Sequence, residues 1–330
     1  MVDFKGAFLN LPEPVLRLLA FVLAFLIGAT VVVFLLRRFL PEDLYRELMD
    51  RIKTWWIIIA VLTLAIGLSR GLTILLFWFI SFWALKEYFT AIRTRPEDHL
   101  ALFVAFFVIP TLQYLWIWTQ WYIMFLIFVP VYGFLSIPFF LLISRNPKGF
   151  IMSSARIHWG LMAFVYGIGH MAYLVNLRHL HDPTAPYSGI TLLIYLIFVA
   201  EISDVFQYIF GKLFGRHKIW PSISPGKTWE GLIGGGITAI LFGYFFRFLT
   251  PFSPLESILV SFLIVAVGFI GGGVMSAVKR DLGKKDFGYL LPGHGGIIDR
   301  IDSLCWAAPI YFHYIAYFHG HYLLITGARS

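Results

Sequence analysis

The sequence predicts an all-α polytopic integral membrane protein of about ten transmembrane helices, with a polar, cytoplasm-facing site in its C-terminal half. Three observations carry that expectation. Hydrophobic residues make up 59% of the 330 and charged residues only 13%, where a soluble domain carries roughly a quarter charged. Aromatics reach 18% and mean hydropathy is +0.79, more apolar surface than a water-soluble fold can hide. No charge interrupts residues 18–36, 71–85, 99–144 or 257–278. This composition excludes disorder, a nucleic-acid binder and a secreted disulfide scaffold, since Cys305 is the single cysteine. The net charge of +8 reports membrane topology.

Taken in order, the spans read as 16–36, 54–69, 71–86, 100–118, 121–143, 157–177, 188–210, 231–249, 257–278 and 303–325, each near the ~20 residues a helix needs to cross. The uncharged run 99–144 is too long for one span, and a turn is expected at Trp118, Thr119 and Gln120, inside an aromatic belt. Arg70 alone breaks the run 55–85, between Ser69 and Gly71, and reads as a tight turn. A single long tilted helix there would make nine spans. Pro110, Pro130 and Pro138 read as kinks or helix ends. No secretory signal peptide is expected, because the first apolar run lacks a basic flank beyond Lys5 and Arg17 and a small-residue cleavage pattern.

Basic residues test this map. Segments 37–53, 86–99, 144–156, 211–230 and 279–302 fall on one side and hold 5, 3, 3, 4 and 5 Lys or Arg, which is 20 of the 26. That asymmetry assigns the side to the cytoplasm and both termini to the opposite one.

Residues 1–195 read as an N-terminal transmembrane bundle, a scaffold with a lipid groove as the alternative use. Residues 196–330 read as the catalytic transmembrane domain. The seventh span ends in Glu201, Ser203, Asp204, Gln207 and Tyr208, and charges this deep normally face a polar cavity or a partner. Next come Gly211-Lys212 and Ser224-Pro-Gly-Lys227-Thr228-Trp-Glu230-Gly231, basic residues, hydroxyls and glycines ahead of a helix start that favours anions. The Gly-Lys-Thr here lacks the upstream glycines and strand context of a phosphate loop. The densest cluster runs from Ser276 through Lys279, Arg280, Asp281, Lys284, Lys285 and Asp286 to Pro292-Gly-His294-Gly-Gly, Asp299, Arg300 and Asp302. Asp299 and Asp302, three apart, share a helical face, and paired carboxylates with a substrate phosphate suit Mg²⁺. The lysines and arginines can neutralise a polyphosphate, and His294 can donate to phosphate or move a proton. An acidic pair, a basic array and glycine-rich bends at one interface point to metal-assisted phosphoryl or nucleotidyl chemistry on a membrane-bound substrate.

Residues 276–302 resemble the signature of the phosphatidate cytidylyltransferase family. A serine is followed by Lys-Arg, then Lys-Asp, then Pro-x-His-Gly-Gly-x-x-Asp-Arg-x-Asp, and every position is present. The upstream family pattern is matched by Asp204, Tyr208, Gly211 and the run from Ser224 to Gly231. Together these motifs cover residues 201–303, under a third of the chain. The resemblance implies CTP plus phosphatidic acid giving CDP-diacylglycerol and pyrophosphate, with Mg²⁺ as cofactor, a monovalent cation as an optional companion, and a homodimer in a bacterial inner membrane. It implies catalytic roles for Asp299, Asp302, Lys279, Arg280, His294 and Asp204. Ser224, Lys227, Thr228, Glu230, Ser276, Lys285 and Arg300 are implied to contact the nucleotide. Asp299, Asp302, Asp281 and Asp286 are the implied metal set. One departure stands out: many bacterial members carry a metal-binding Asp where this chain has Gly272.

Two other readings compete. The acceptor could be another membrane lipid, as in a CTP-dependent polyprenol kinase. A transporter or a catalytically inactive membrane homologue is the third, but no inverted repeat is visible. His179, His181 and Asp182 form a weak metal candidate on the outer side, and His313, His319 and His321 read as belt or core residues.

Overall fold

The computed structural model describes residues 11–143, 145–178, 187–288, 290 and 295–320. Helix α1 (Glu13–Leu35) starts after Pro12, and α2 (Glu42–Leu68) after Pro41, whose fixed φ suits a helix entry. Helix α2 begins twelve residues ahead of the expected span. Arg46–Glu42 (2.9 Å) and Arg51–Glu47 (2.7 Å) pairs, spaced four apart, carry it through what the sequence suggested was a basic loop. Ser69 then breaks the chain in an extended conformation and caps α3 (Arg70–Ala91) by accepting from the Leu72 amide at 3.1 Å. The tight turn therefore separates two helices, not one long helix.

Helix α4 (Pro96–Trp118) and α5 (Tyr122–Ile143) follow, joined at Thr119–Gln120. Each contains a π-helical stretch, Val104–Val108 just ahead of Pro110 and Phe128–Gly133 around Pro130. Proline cannot donate its backbone bond, and the wider turn absorbs the gap. Helix α6 (residues 150–174) has a third π stretch, Leu161–Gly167. The C-terminal half holds α7 (Gly189–Phe214), a short antiparallel hairpin of β1 (Lys218–Trp220) and β2 (Ser224–Thr228), α8 (Trp229–Phe245), α9 (Pro254–Asp281), the single turn α10 (Ile298–Ile301) and α11 (Leu304–Phe318). The hairpin replaces the loop expected within 211–230.

Seven helices among the described residues are long and apolar enough to cross a membrane: α1 to α5, α7 and α9. The other three expected spans overlap α6, α8 and α11, and residues 321–325 of the last lie outside the described residues. Helix α6 carries His158 and His170, while α8 and α11 are 17 and 15 residues long. Large apolar side chains face outward along the bundle, among them Leu35, Leu142, Leu213, Phe262 and Leu255, as lipid contact requires.

Helix ends alternate between two poles. At one, Arg70 donates to Asn176 Oδ1 (2.6 Å) and the Trp118 carbonyl (2.5 Å), tying the α2–α3 turn to the ends of α4 and α6. At the other, Ser153 donates to Asp98 (2.8 Å) and Arg156 to the Arg93 carbonyl (2.9 Å). The hairpin, residues 281–288 and residues 295–302 lie at this second pole, where the basic segments gather. Buried Tyr173, Tyr195, Tyr311, Phe125 and Phe164 form the middle of a core that runs from Val15 to Ile315. Gly234 and Gly235 let α8 press against Phe210 and the Gln207 backbone of α7, the close approach that drives helix packing in lipid.

Candidate functional site

The site is built where α7, the hairpin, α9 and the α10–α11 corner meet. Trp220 stacks on Phe269 of α9 with ring centroids 5.0 Å apart, and it presses onto Gly273. That contact holds the hairpin flat on α9. Arg280 adds a second tie, from Nε to the Ile223 carbonyl at 3.1 Å, with its Nη1 on the Lys284 carbonyl at 3.1 Å. Glu230 adds a third, accepting from the Arg216 amide (3.1 Å) and His217 Nδ1 (2.6 Å). The Glu230 carboxyl is held down to about 2, first by its own backbone N–H at the helix start and then by the His217 side chain. Thr228 caps α8 through the Gly231 amide at 3.1 Å. The start of α8 is thus occupied by this chain's own side chains.

The clamped hairpin delivers Lys227 into the bundle. Its Nζ donates to the Phe269 carbonyl at 3.3 Å and lies 4.4 Å from that ring's centroid. Burial pushes this ammonium below the ordinary lysine range, and the carboxylates of Asp204 and Asp302 oppose that shift. Asp204, ten residues ahead of the end of α7, accepts from Ser303 Oγ at 3.0 Å. Asp302 accepts the Ser303 amide on Oδ1 at 2.8 Å. Gly272 faces all of this. A β-carbon there would stand 2.8 Å from Lys227 Nζ and 3.7 Å from Asp302 Oδ2. The bare backbone leaves that space open, and a side chain at position 272 would point into the centre of the cluster.

Asp299 is less exposed than Asp204 or Asp302 and is fully engaged. Its Oδ1 accepts from Lys279 Nζ (2.9 Å), its Oδ2 from the Phe287 (3.1 Å) and Gly296 (2.9 Å) amides, and the residue is 8% exposed. It ties Lys279, Phe287 and Gly296 together more than it offers an open oxygen. Ser276 Oγ is turned back onto the Gly272 carbonyl at 2.7 Å. Ser224 lies in β2 opposite Trp220, and Lys285 and Asp281 are exposed. Asp286 sits beside Gly295 and Asp299. Arg300 is half-buried near Glu201, Asp204 and Asp302, and its Nε has no hydrogen-bond partner among the described residues. His294 lies outside the described residues, as do His179, His181, Asp182 and His321.

The expected metal set of Asp299, Asp302, Asp281 and Asp286 is not gathered, and no group of three or more His, Cys, Asp or Glu among the described residues is arranged to hold a metal. The carboxylates facing Lys227 are Asp204 and Asp302. Each has one oxygen in a hydrogen bond to Ser303, and the other has no hydrogen-bond partner among the described residues. Mg²⁺ is commonly held by one or two carboxylates together with substrate phosphates, so this donor pair fits it.

One residue that positions the site was missed by sequence reasoning. Glu87 of α3, 6% exposed, accepts from the amides of Ile297 (2.9 Å) and Ile298 (3.0 Å) and so caps α10 from the N-terminal half of the chain. Gly296 packs so tightly on its carboxylate that no β-carbon would fit. The signal was a lone acid at the end of an otherwise apolar span, which reads equally well as the start of a polar loop.

A polytopic helical membrane protein with a half-buried Asp–Lys–Asp cluster recessed from one pole is the class defined so far. The chain belongs to the cytidylyltransferase family, whose model matches residues 49–318. It is 42% identical over 302 residues to the uncharacterized protein YnbB of Escherichia coli, covering 91% of this chain and 97% of that one. It is also 32% identical over 271 residues to a phosphatidate cytidylyltransferase of Staphylococcus epidermidis, covering 79% and 96%. The same-named protein of Haemophilus influenzae is 39% identical over 169 residues, 48% of this chain and 57% of that protein.

Proposed function

We propose that the protein is a phosphatidate cytidylyltransferase, joining CTP and phosphatidic acid to give CDP-diacylglycerol and pyrophosphate. A non-bridging oxygen of the lipid phosphate attacks the α-phosphorus of CTP. The new O–P bond forms as the bond from that phosphorus to the β-phosphate oxygen breaks, and pyrophosphate leaves with that electron pair. No covalent enzyme intermediate is needed, and Cys305 is buried in the apolar start of α11.

The observation that supports this reading most is the meeting of Lys227, Asp204 and Asp302 around the open backbone of Gly272. It unites the two sequence motifs in one recess with both charge signs. Lys227 and Arg300 hold phosphate oxygens and offset the charge that develops on the five-coordinate phosphorus. Lys279 acts through Asp299, and Arg280 through the hairpin, so both are positioning residues. Asp204 and Asp302 would hold Mg²⁺, which supplies further neutralisation of the triphosphate. The hairpin side is the cytoplasmic face, where CTP is available, in keeping with the distribution of basic residues. A ten-span bundle, a homodimer and a bacterial inner membrane complete the reading.

The test is CTP turnover by the purified, detergent-solubilised protein, with and without phosphatidic acid and Mg²⁺. Metal-dependent CDP-diacylglycerol with matching pyrophosphate is expected from the wild type. Asp302→Asn lowers it by about 10²-fold or more, the scale for losing one preorganised charge-stabilising group. A folded protein that binds CTP but leaves phosphatidate unchanged uses another lipid acceptor. One that does neither refutes the reading.

A further inference from the structure

A second concave feature lies at the corner between α5 and α6, at the same pole as the hairpin but sharing no residue with the recess. It is a groove of about 730 Å³, walled by Leu141, Leu142, Phe150, Ile151 and Met152 and edged by Arg145 and Asn146. Its apolar wall is open: Leu142 is 66%, Met152 55% and Ile151 81% exposed. The corner turns in few residues. Arg145, at φ 57°, donates its amide to the Leu142 carbonyl at 3.0 Å and closes α5, and Gly149, at φ 68°, leads into α6.

Charge is spread unevenly across this corner. Segments 93–98 and 145–156 hold five basic residues, Arg93, Arg95, Arg145, Lys148 and Arg156, against two acids, Glu97 and Asp98. Both acids are engaged within the protein. Asp98 is held by Arg95 at 2.8 Å and by Ser153 Oγ at 2.8 Å. Glu97 accepts from Asn146 Nδ2 at 3.1 Å, while Asn146 Oδ1 accepts the Lys148 backbone amide at 3.1 Å. Arg145 and Lys148 are exposed, and neither has an ion pair among the described residues. Two cations thus stand beside an uncovered apolar wall, and the acids nearest in sequence are committed to other partners.

We propose that this groove binds one phospholipid with an anionic headgroup, its phosphate on Arg145 and Lys148 and the first part of a chain along Leu142, Ile151 and Met152. Helix α5 is a candidate span up to Ile143, so the wall lies where the leaflet meets water, and lipid is the medium around it. A basic pocket between membrane helices is the general form of a headgroup site. Charge selects among the lipids present. A chain that leaves the bilayer for the groove moves between two apolar surroundings and gains little, so discrimination falls to the phosphate and the two cations. The apolar wall in turn favours a lipid over free phosphate. This lipid is a bound companion and not a substrate, so the groove keeps its role whether or not the recess acts on phosphatidate.

The test uses the full chain in nanodiscs of phosphatidylcholine with a minor share of phosphatidylglycerol that carries a diazirine close to its glycerol. Phosphatidylglycerol is a phosphodiester without the terminal phosphate of phosphatidate, so turnover does not enter the readout. Photolysis followed by peptide mapping should place labels within residues 141–152, competed by unlabelled phosphatidylglycerol. The same diazirine on phosphatidylcholine should label this segment much less. Arg145→Gln combined with Lys148→Gln should weaken competition about thirtyfold, about fivefold for each basic residue removed near the membrane surface. Arg145→Lys should keep the labelling, and high salt should reduce it, because exposed charges are screened. Arg37→Gln combined with Arg38→Gln, just past the end of α1, is the control and should leave it in place. Both double variants change exposed side chains, and an unchanged Tm in detergent confirms that they fold. Equal labelling by the two probes means bulk lipid, and equal loss in the control means diffuse surface charge. Displacement by inorganic phosphate means that the apolar wall contributes nothing, and labels absent from 141–152 mean that another element covers the groove. Each of these four results overturns the proposal.

Discussion

Replacing Glu87 with alanine asks whether a residue far from the signature motifs holds the site in register. The α10 turn is four residues long and makes too few bonds of its own to stay wound. Its first amides, from Ile297 and Ile298, both end on the Glu87 carboxylate. Removing it leaves two N–H groups without a partner in a region closed to water, at about 1–3 kcal/mol each. The pair amounts to about 2–6 kcal/mol, which a short turn can relieve by shifting. Asp302 and Ser303 follow directly, so a shift moves Asp302 relative to Lys227. A misplacement of ~1 Å is enough for a loss of about 10²-fold. The expected result is a fall of that order in kcat for CDP-diacylglycerol formation, with a smaller change in KM for CTP. Glu87→Gln keeps one accepting oxygen but turns an NH₂ toward the second amide, and should fall between. Hydrogen exchange followed by mass spectrometry should show faster exchange in peptides spanning 295–303, with the α4–α6 pole unchanged. Wild-type turnover in Glu87→Ala would refute the reasoning, as would a loss that merely follows global unfolding.

Three further expectations follow from the same geometry. Gly272→Asp should fold, because its new β-carbon meets first the flexible end of Lys227. The added carboxylate beside Asp302 should lower the Mg²⁺ concentration for half-maximal turnover severalfold, read by Mg²⁺ titration. Arg70→Met removes two bonds at the opposite pole. It should reduce stability by about 1.5–3 kcal/mol, seen as a lower Tm in detergent, while kcat/KM of the remaining folded protein stays within twofold. Glu230→Gln should free the hairpin, read as faster trypsin cleavage at Arg216 and Lys218. With the folded value of Glu230 at about 2 and an unfolded one near ~4.3, the wild-type tie is fully present above the unfolded value. It is lost as pH falls through the folded one, and corrected exchange rates of the Arg216 and His217 amides should rise there.

Much of the architecture was legible because lipid imposes simple rules. Long uncharged runs mark helices that must satisfy their own backbone, and the crowding of Lys and Arg into alternate segments marks one pole. The breaks at Ser69 and at Thr119–Gln120 were visible as polar residues between apolar runs. The early start of α2 was not, since the Arg–Glu pairs that extend it look like loop charges unless their four-residue spacing is read as a helix face. The hairpin was also hidden. Its three- and five-residue strands carry no alternating apolar pattern, and what holds them is Trp220 against Phe269, more than forty residues away.

The same division runs through the site. Sequence alone determined the membrane class, the two polar segments and the family they resemble, because composition and local spacing carry that information. Tertiary structure decided which carboxylates face Lys227. Asp299 and Asp302, indistinguishable by spacing, differ because Asp299 is saturated by Lys279 and two amides while Asp302 is turned toward Gly272. Glu87 enters from 210 residues away for the same reason. Hydrogen bonds and close packing are satisfied by whatever lies nearest in space, and proximity across a bundle leaves no trace in the order of residues along one chain.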